Sequence, residues 1–445
     1  MQNKRRDFIK KSAIAATGVT LGAQHLNARS YSRILGANDR LSIGVAGCYR
    51  RGRAMLDSFK DLQDKINILF VSDVVKERRD KYAASVHEAL GYKPKAINDF
   101  RESLDDPQLD ALFNLTPDHW HVPGSWMALE AGKHVYVEKP LGHNPREGEI
   151  IQEYQKKYNR VVQMGTQQRS QMTAQKIIKE IHGGLIGEPY TVVTYYSNKR
   201  GDIGNGKVVP VPEGFDWDLF QGPAPRESFK DIYFDYMWHW FWPWGTGETG
   251  NNATHELDVA RWVLQVSNPE EVSVHGGKFQ FVNDDWTMYD NINATFRYPG
   301  NKTIIWDGKS RNNIQTYGDD RGDIIYGSEG SVRINRNGYK QFDLAGNLVK
   351  EENEKSLSVT TGLGGGGGIT TTHILNFIEA IQGKVKPNSD LGEAHRSTLL
   401  CHLANIAYRT GETLSCDPAT GHIDNKKIMK HYWGRTYEPG WEPKI

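Results

Sequence analysis

The segment from Leu41 to Asp73 constrains the fold of this chain more than any other stretch. An apolar run ending at Ala46 predicts a buried strand, and a turn bounded by Gly47 and Gly52 follows it directly. A helical run then leads to a second apolar strand, which ends at Asp73, 21 positions after Gly52. A strand, a glycine turn, a helix and a strand in this order indicate a parallel α/β sheet with a dinucleotide site.

The same segment carries the groups that a nicotinamide dinucleotide needs. Glycines let the backbone approach a pyrophosphate, and the N-terminus of the helix attracts its charge. Asp73 suits the ribose hydroxyls and favours NAD over NADP, because a carboxylate repels a 2′-phosphate. Tyr49 replaces the middle glycine of the motif, so either its side chain crowds the pyrophosphate or the neighbouring arginines compensate by binding phosphate oxygens. The candidate cofactor residues here are Gly47, Tyr49, Arg50, Arg51, Gly52 and Asp73.

Two further strand ends carry polar groups. The apolar runs 112–115 and 134–137 predict two more buried parallel strands. Ligands of open α/β sheets bind beyond the carboxyl ends of the strands, so the residues that follow these runs are expected in the cofactor site. Pro140 fixes the backbone there and is a candidate for a cis peptide bond. The candidate cofactor residues after these two strands are Thr116, Pro117, His119, His121, Glu138 and Lys139.

His119 and His121 are expected to face the region of the nicotinamide. Two histidines also suggest a metal site, but the sequence places no third ligand nearby at zinc spacing, so no metal is predicted. Helix capping and packing against the cofactor are the competing interpretation of both residues. A helix is expected from Val122 to Ala131.

A polar run, Thr166 to Ser170, follows a strand expected between Arg160 and Gly165. At a strand end, Gln168 suits an amide contact with the cofactor, and Arg169 suits a contact with the substrate. An ordinary crossover loop explains the same residues nearly as well, so both interpretations stay open.

The glycine turn, the run Thr116 to His121 and the run Glu138 to Pro140 together resemble the Gfo/Idh/MocA family, of the glucose–fructose oxidoreductase and inositol dehydrogenase type. Each piece is common alone, whereas the combination is specific. The resemblance implies a Rossmann domain, a second domain with a mostly antiparallel sheet, and NAD(P)-linked oxidation or reduction of a sugar or polyol carbon. It also implies that Lys139 is the catalytic lysine, close to the substrate hydroxyl and the nicotinamide.

The second half of the chain is rich in short β-runs separated by Gly and Asn turns, which predicts one broad, largely antiparallel sheet. Six aromatic residues occupy the nine positions from Tyr236 to Trp244. Trp238 and Trp240 are candidate platforms for the apolar face of a sugar ring. A hydrophobic core or an oligomer contact is the competing interpretation.

Four residues, Asn251, His255, Asp258 and Trp262, recur at helical spacing and are expected to share one helix face. By resemblance, His255, Asp258 and Trp262 match the family pattern, and Asn251 replaces its aspartate. His255 is then the preferred general base, because the pKa of an ordinary histidine lies near neutrality, and Lys139 holds or relays the proton. Asn251 cannot take a proton and is expected only to orient the substrate.

Composition and termini narrow the functional classes. A net charge of +1 gives no electrostatic basis for binding nucleic acid or an anionic membrane, and three cysteines make no disulfide framework. The run Lys4 to Lys10 is a twin-arginine pattern, which predicts export to the periplasm or beyond and leaves no stable membrane anchor after processing. The aromatic content and an open sheet face suggest a homo-oligomer.

Four regions are predicted. They are a twin-arginine signal segment 1–30, an NAD-binding Rossmann domain 38–168, an α+β substrate and oligomerisation domain 169–425, and a C-terminal tail 426–445. The tail is expected to be a surface strap. A glycine run, Gly364 to Gly368, is either a lid near the substrate or a linker.

The predicted function is an exported NAD(P)-dependent oxidoreductase that prefers NAD. It transfers a hydride between a hydroxyl-bearing carbon of a sugar or glycoside and the nicotinamide. Two alternatives stay open. One is a redox-neutral, NAD-dependent glycosidase or lyase with a tightly bound cofactor, whose site the Thr254-His255 pair resembles. The other is a non-catalytic sugar-binding relative, which Asn251 and Tyr49 permit.

Overall fold

The computed structural model describes residues 40–354 and 368–445. The twin-arginine segment and residues 364–367 of the glycine run lie outside the described residues, so export and the lid stay predictions. Gly368, the last glycine of that run, begins a helix. None of the helices in the two described ranges has the length and apolar character that a bilayer span requires.

Six strands and five helices alternate in the first part of the chain. The strands are β1 (Leu41–Ala46), β2 (Ile66–Ser72), β3 (Lys95–Ile97), β4 (Ala111–Asn114), β5 (His134–Val137) and β6 (Val162–Met164). The helices are α1 (Arg50–Asp61), α2 (Lys76–Leu90), α3 (Arg101–Leu104), α4 (Asp118–Glu130) and α5 (Pro145–Tyr158). The strands form one sheet in the order β3-β2-β1-β4-β5-β6, and β1 pairs with β4 in parallel. The order in which the strands follow one another reverses between the parallel neighbours β1 and β4, and such sheets bind ligands at that switch point.

The second part of the chain forms a nine-stranded sheet. Its strands are β7 (Pro189–Ser197), β8 (Glu271–Gly277), β9 (Asn291–Tyr298), β10 (Lys302–Lys309), β11 (Arg321–Gly327), β12 (Gly330–Asn335), β13 (Gly338–Phe342), β14 (Leu348–Asn353) and β15 (Leu414–Ser415). Their order is β14-β13-β12-β11-β7-β10-β9-β8-β15, and β7 and β10 are the parallel pair among antiparallel neighbours. The predicted fold class, a Rossmann-like parallel sheet and a large, mostly antiparallel sheet, is confirmed.

Six further α-helices lie in the described residues of the second part of the chain. They are α6 (Met172–His182), α7 (Trp217–Gln221), α8 (Thr254–Leu264), α9 (Gly368–Ile381), α10 (Leu391–Thr410) and α11 (Lys426–Tyr432). The main apolar core joins the sheet to α6, α8 and α10, with residues such as Val192, Ile304, Ile325, Leu257 and Leu400 buried together. Alternation of buried and half-buried residues along β9, β10 and β11 places every second side chain in this core.

Helix α4 begins at Asp118, four residues before the expected start at Val122. Pro123 lies inside the helix and has no N–H to donate to the carbonyl of His119 one turn earlier. That carbonyl instead accepts a hydrogen bond of 2.8 Å from the Arg435 guanidinium of the C-terminal tail. The tail therefore compensates for the proline, and it is more than a surface strap, because Arg435 also pairs with the buried Glu147 at 2.6 Å.

Asp323, on β11, is fully buried, and neither carboxylate oxygen has a hydrogen-bond partner. Burial, and then the charge of Glu256, raise its pKa well above the ordinary 3.8. The folded chain therefore keeps a proton that the unfolded chain releases above pH 3.8. This contribution to stability is lost as pH rises from 3.8 towards the raised folded-state pKa.

Asp323→Asn is expected to remove this loss. The gain in free energy of unfolding should grow by about 1.4 kcal/mol per pH unit and level off once the pH passes the folded-state pKa. Urea denaturation of both proteins between pH 5 and pH 9 measures the difference. Asp307→Asn is the control, because the half-buried Asp307 carboxylate on β10 accepts a hydrogen bond from Lys309. A pH-independent difference for Asp323→Asn would contradict the buried, protonated carboxyl.

Candidate active site

A cavity of about 550 Å³ opens at the carboxyl ends of the parallel strands. One wall comes from the residues that follow β1, β2, β4 and β5, and the opposite wall comes from the second half of the chain. The predicted cofactor residues in this cavity are Gly47, Tyr49, Arg50, Arg51, Asp73, Thr116, Pro117, His121, Glu138 and Lys139. The predicted substrate or catalytic residues in the same cavity are Trp238, Asn251 and His255.

The two glycines of the turn have different roles. Gly47 has a φ of +96°, and a Cβ there would lie 2.4 Å from the carbonyl oxygen of Leu115. A glycine is therefore needed for β1 and β4 to end side by side along the cavity. Gly52 does not line the cavity, and its Cβ would lie 2.5 Å from the carbonyl oxygen of Gly47. Gly52 thus permits close packing of α1 on the turn rather than direct contact with a cofactor.

The side chain of Tyr49 lies against an arginine. Its ring centroid is 4.1 Å from the guanidinium carbon of Arg78, and both residues line the cavity. Arg51 donates from Nε to Glu138 Oε1 at 2.7 Å, so a carboxylate of the β5 end holds this arginine. Arg50, the first residue of α1, is exposed and lies 4.7 Å from the ring centroid of Tyr236. Arg50 and Arg51 therefore differ. Arg51 is paired with a carboxylate, whereas Arg50, at the N-terminus of α1, has no carboxylate partner among the described residues.

Asp73 lies where a ribose is expected. Its oxygens accept backbone N–H bonds of 2.9 Å each from Cys48 and Val75, which fix the carboxylate at the cavity edge. A smaller adjoining cavity of about 60 Å³ also contains Asp73 and has Phe100 and Phe220 in its wall. Aromatic walls beside a ribose-binding carboxylate fit a flat adenine ring. The residues present therefore fit an adenine dinucleotide.

The two histidines of α4 separate. His121 lines the cavity, and its ring nitrogens lie 2.7 Å from the carbonyl oxygens of Pro140 and Thr116. His119 is wholly buried outside the cavity, and its Nε2 lies 2.7 Å from the carbonyl oxygen of Phe220. The prediction that His119 faces the nicotinamide is wrong, because the earlier start of α4 turns it towards the α7 segment. Within the described residues, no group of three or more His, Cys, Asp or Glu side chains is placed to hold a metal ion.

Lys139 lies at the centre of the cavity. The Lys139-Pro140 peptide bond is cis, and Lys139 Nζ donates to the carbonyl oxygen of Asn251 at 2.7 Å. Burial lowers the pKa of Lys139, and the nearby charges of Asp118 and Glu138 oppose that shift. The amine is therefore easier to deprotonate than that of an exposed lysine.

Asn251 and His255 belong to the wall that the second half of the chain contributes to the cavity. Asn251 belongs to a π-helical turn, Thr249–Ala253, that leads into α8, and its Nδ2 donates to Tyr236 Oη at 2.8 Å. Such π turns are frequent at functional sites. His255 Nδ1 is buried without a hydrogen-bond partner. Asp258 and Trp262 do not line the cavity, so the expected four-residue face contributes only its first two members.

The prediction that His255 is a base with a pKa near neutrality is wrong. Burial lowers the pKa of His255 well below 6.5, and the charges of Arg336, Arg321 and Lys139 lower it further. The ring is therefore neutral at physiological pH but a weak base. Burial thus lowers the pKa of both predicted proton carriers, away from neutrality for His255 and towards neutrality for Lys139.

In the polar run after β6, the residue that lines the cavity is the one before the predicted Gln168. Gln167 lines the cavity and donates to Glu138 Oε1 at 3.2 Å, whereas Gln168 is buried outside the cavity without a partner for its amide. Arg169 does not reach the cavity either. Its guanidinium donates twice to the Asp258 carboxylate, at 2.8 Å each, in the interior. The structure thus places Gln168 and Arg169 away from the cofactor and the substrate.

The aromatic segment divides between the cavity wall and the hydrophobic core. Trp238 and Tyr236 line the cavity. Trp240 is only 1% exposed and stacks on Trp286 with ring centroids 3.9 Å apart, so it belongs to the core and not to the sugar site. A short 3₁₀ helix, Met237–Trp240, turns alternate rings in opposite directions.

Two family models match this chain. Residues 41–166 match the oxidoreductase family with an NAD-binding Rossmann fold, and residues 174–333 match the Gfo/Idh/MocA C-terminal domain. Together these segments cover more than half of the chain. It belongs to the Gfo/Idh/MocA family.

Curated relatives and solved structures agree with this membership. A glycosyl hydrolase family 109 protein of Saccharopolyspora erythraea is 26% identical over 51% of this chain and 55% of that protein. A scyllo-inositol 2-dehydrogenase (NAD(+)) of Bacillus subtilis is 26% identical over 60% of this chain and 66% of that protein. The chain thus spans about half to two thirds of these curated relatives. An aldose-aldose oxidoreductase of Caulobacter crescentus shares the fold with a TM-score of 0.64, at 19% identity over 85% of this chain and 100% of that chain.

Several cavity residues of this family member carried no sequence signal. Arg200, Arg321 and Arg336 reach the cavity from segments near the second sheet, at least 60 residues after Lys139. Arg200 pairs with the buried Glu248 at 2.8 Å, and Arg321 pairs with Glu256 at 2.7 Å. Glu248 and Glu256 flank Asn251 in sequence. These acidic residues beside a predicted catalytic segment could have indicated that arginines pair with them near the cavity.

Proposed function

We propose that the protein is an NAD-dependent oxidoreductase that moves a hydride between a hydroxyl-bearing carbon of a sugar or polyol and the nicotinamide. One observation carries this proposal: Lys139 stands in a single cavity between the dinucleotide edge of the parallel sheet and the segment with Asn251 and His255. The NAD-binding family model supports the cofactor, and the inositol dehydrogenase relative supports a polyhydroxylated substrate.

Lys139 manages the proton in the proposed reaction. When bound, NAD supplies the hydride acceptor at its nicotinamide ring. The substrate hydroxyl must lose its proton as the hydride leaves, and the unprotonated Lys139 amine takes it. The hydrogen bond to the carbonyl oxygen of Asn251 aims the amine into the cavity, and the lowered pKa makes the unprotonated form available. His255, neutral and unpaired at Nδ1, offers a hydrogen bond to another hydroxyl of the substrate.

The experiment that tests this function records NADH and released phenol in the same sample. The full chain is incubated with NAD and with free sugars, inositols and the corresponding phenyl glycosides. NADH formed without phenol supports the dehydrogenase. Phenol released without net NADH contradicts it and supports a redox-neutral glycosidase, the class suggested by the glycosyl hydrolase family 109 relative. Failure to bind NAD in a fluorescence titration would contradict both.

Asp73→Ala is expected to shift the cofactor preference. Without the carboxylate, the ribose hydroxyls lose an acceptor and a 2′-phosphate is no longer repelled, while the Arg78 guanidinium remains in the same cavity. The ratio of kcat/KM for NAD to that for NADP should fall about tenfold or more, the size of one charge-assisted hydrogen bond. Asp57→Ala is the matched control, because Asp57 is an exposed carboxylate on α1 that lines neither cavity. An unchanged ratio in Asp73→Ala would remove Asp73 from cofactor selection.

A further inference from the structure

Four of the seven arginine and lysine side chains that line the cavity are neutralised within the protein. Each of four arginines in its wall forms an ion pair with a carboxylate. The pairs are Arg51–Glu138 at 2.7 Å, Arg200–Glu248 at 2.8 Å, Arg321–Glu256 at 2.7 Å, and Arg78–Asp235. A buried or partly buried charge is costly unless it is paired, so these pairs are the expected arrangement.

Arg336 is the exception at the substrate end. It occupies the turn between β12 and β13, is partly buried and lines the cavity. Among the residues that the structure describes, none forms an ion pair or a hydrogen bond with its guanidinium. Burial and the charge of Arg321 lower its pKa to about 9. The wall of the cavity thus holds a cation without an ion-pair partner of its own, because the nearby Glu256 carboxylate is paired with Arg321.

Arg336 comes from the hairpin between β12 and β13 and not from a strand end of the parallel sheet. Arg50, another cavity arginine without a carboxylate partner in the described ranges, lies at the N-terminus of α1, where a pyrophosphate accounts for its charge. Arg336 instead neighbours His255, whose pKa it lowers more than any other charge does. His255 also has an unpaired, buried Nδ1 in the same wall. Two polar groups without partners therefore line one cavity, and the charge of Lys139 acts on one of them.

We propose that Arg336 binds a carboxylate of the substrate, so that the enzyme acts on a sugar acid rather than on a neutral sugar. This inference rests on the proposed oxidoreductase function and names its substrate class. A planar guanidinium pairs with a carboxylate through two parallel hydrogen bonds, and His255 provides a further hydrogen bond beside it. Arg321 already donates to both oxygens of Glu256, so Arg336 is the guanidinium left for the substrate at this end of the cavity. One guanidinium suits a monoanion better than a phosphate dianion.

The anchored carboxylate gives the substrate an orientation. An ion pair at Arg336 fixes one end of the sugar acid, and a hydroxyl-bearing carbon further along the ring then lies towards Lys139. Binding also removes the cost of the unpaired Arg336 charge, which a neutral sugar leaves in place. Two effects therefore discriminate against a neutral sugar: it forms no ion pair with Arg336, and it leaves the Arg336 charge unpaired in the cavity wall.

The test compares sugar acids with their neutral counterparts. Glucuronate, galacturonate, their methyl esters, and glucose 6-phosphate are titrated calorimetrically into the NAD-loaded full chain, and NADH formation is measured for each. Glucuronate or galacturonate should bind at least about 30-fold tighter than its methyl ester, as expected for a desolvated charge pair. Arg336→Gln, which keeps a polar side chain of similar length, should abolish that ratio.

Arg333→Gln is the matched control from the same hairpin. Arg333 pairs with Asp319 at 3.4 Å and does not line the cavity, so its replacement should leave the acid-to-ester ratio unchanged. Equal affinity for acid and ester, or a preference that persists in Arg336→Gln, would overturn the proposal. Tighter binding of the sugar phosphate than of either acid would overturn the choice of a carboxylate. Arg336-dependent binding of an acid without any NADH would leave the anion site standing and reject the oxidoreductase function.

Discussion

Lys139→Met is expected to lower kcat about 10²- to 10⁴-fold, the usual contribution of a positioned acid–base group. Methionine fills a similar volume but cannot accept the proton of the substrate hydroxyl. The carbonyl oxygen of Asn251 then loses its 2.7 Å donor, while the residues that line the dinucleotide edge remain in place. Affinity for NAD, measured by fluorescence titration, should therefore stay within a few-fold of that of the unmodified protein.

The pH profile separates a proton carrier from a merely structural lysine. In the direction of substrate oxidation, kcat/KM should rise with pH as Lys139 loses its proton. Burial lowers the pKa of Lys139, so this rise should level off below pH 10.5. The rising limb should be absent from the residual activity of Lys139→Met, because methionine does not titrate.

Lys95→Met is the matched control. Lys95 is an exposed lysine on β3, the edge strand of the same sheet, and it does not line the cavity. Its replacement should leave kcat and the pH profile unchanged. Wild-type kcat in Lys139→Met would reject the catalytic assignment, and an equal loss of kcat and NAD affinity would make Lys139 a cofactor-binding residue.

The dinucleotide edge could be predicted from sequence because its residues immediately follow short apolar strands. Gly47, Asp73, Thr116 and Lys139 each come within two positions of a strand end, and parallel strands bring those ends to one edge. The end of an apolar run marks the end of a strand, so the sequence alone identifies the residues that lie at the edge of the sheet. The strands β12 to β14 give only a weak strand signal, because they alternate polar, charged and glycine residues without a continuous apolar run.

Errors of one or two positions arose where the chain forms short 3₁₀ helices. In the segment Gln167–Ser170, the cavity receives Gln167 and the interior receives Arg169. In Met237–Trp240, the cavity receives Trp238 and the core receives Trp240. Neither a strand nor a long helix sets the period in such segments, so residue type alone does not reveal which side chain faces the cavity.

The charge pairs of the substrate wall depend on tertiary structure. Arg321 meets Glu256 and Arg200 meets Glu248 across separations of 65 and 48 residues. No local spacing signals such pairs. The same limit explains why His255 was expected to have an ordinary histidine pKa, because the arginines that lower it come from β11 and the following hairpin.

Asp258→Asn is expected to lower the free energy of unfolding by about 3–5 kcal/mol, the cost of breaking a buried ion pair by removing one partner. The Arg169 guanidinium is 8% exposed and donates to both oxygens of Asp258, which is 1% exposed. Asparagine keeps one acceptor but turns an amide donor towards the guanidinium, so one of the two hydrogen bonds is replaced by a repulsive contact. Ser397 Oγ, which also donates to Asp258 at 2.7 Å, then competes for the remaining oxygen.

Urea denaturation measures this loss, and a double-mutant cycle isolates the pair. Arg169→Met should destabilise the fold to a similar extent, and the double variant Arg169→Met/Asp258→Asn should lose less than the sum, because neither charge is then left unpaired. Arg146→Met is the surface control, since its pair with Glu149 at 2.7 Å is solvent-exposed and contributes at most about 1 kcal/mol.

Kinetics decide whether Arg169 also serves the substrate. Arg169 and Asp258 do not line the cavity, so KM for the substrate should stay unchanged at temperatures where the variants remain folded. A tenfold rise in KM without a loss of stability would return Arg169 to the substrate site. The expected combination, large destabilisation with unchanged KM, follows from a charge pair that joins the segment after β6 to α8 in the interior and does not contact the cavity.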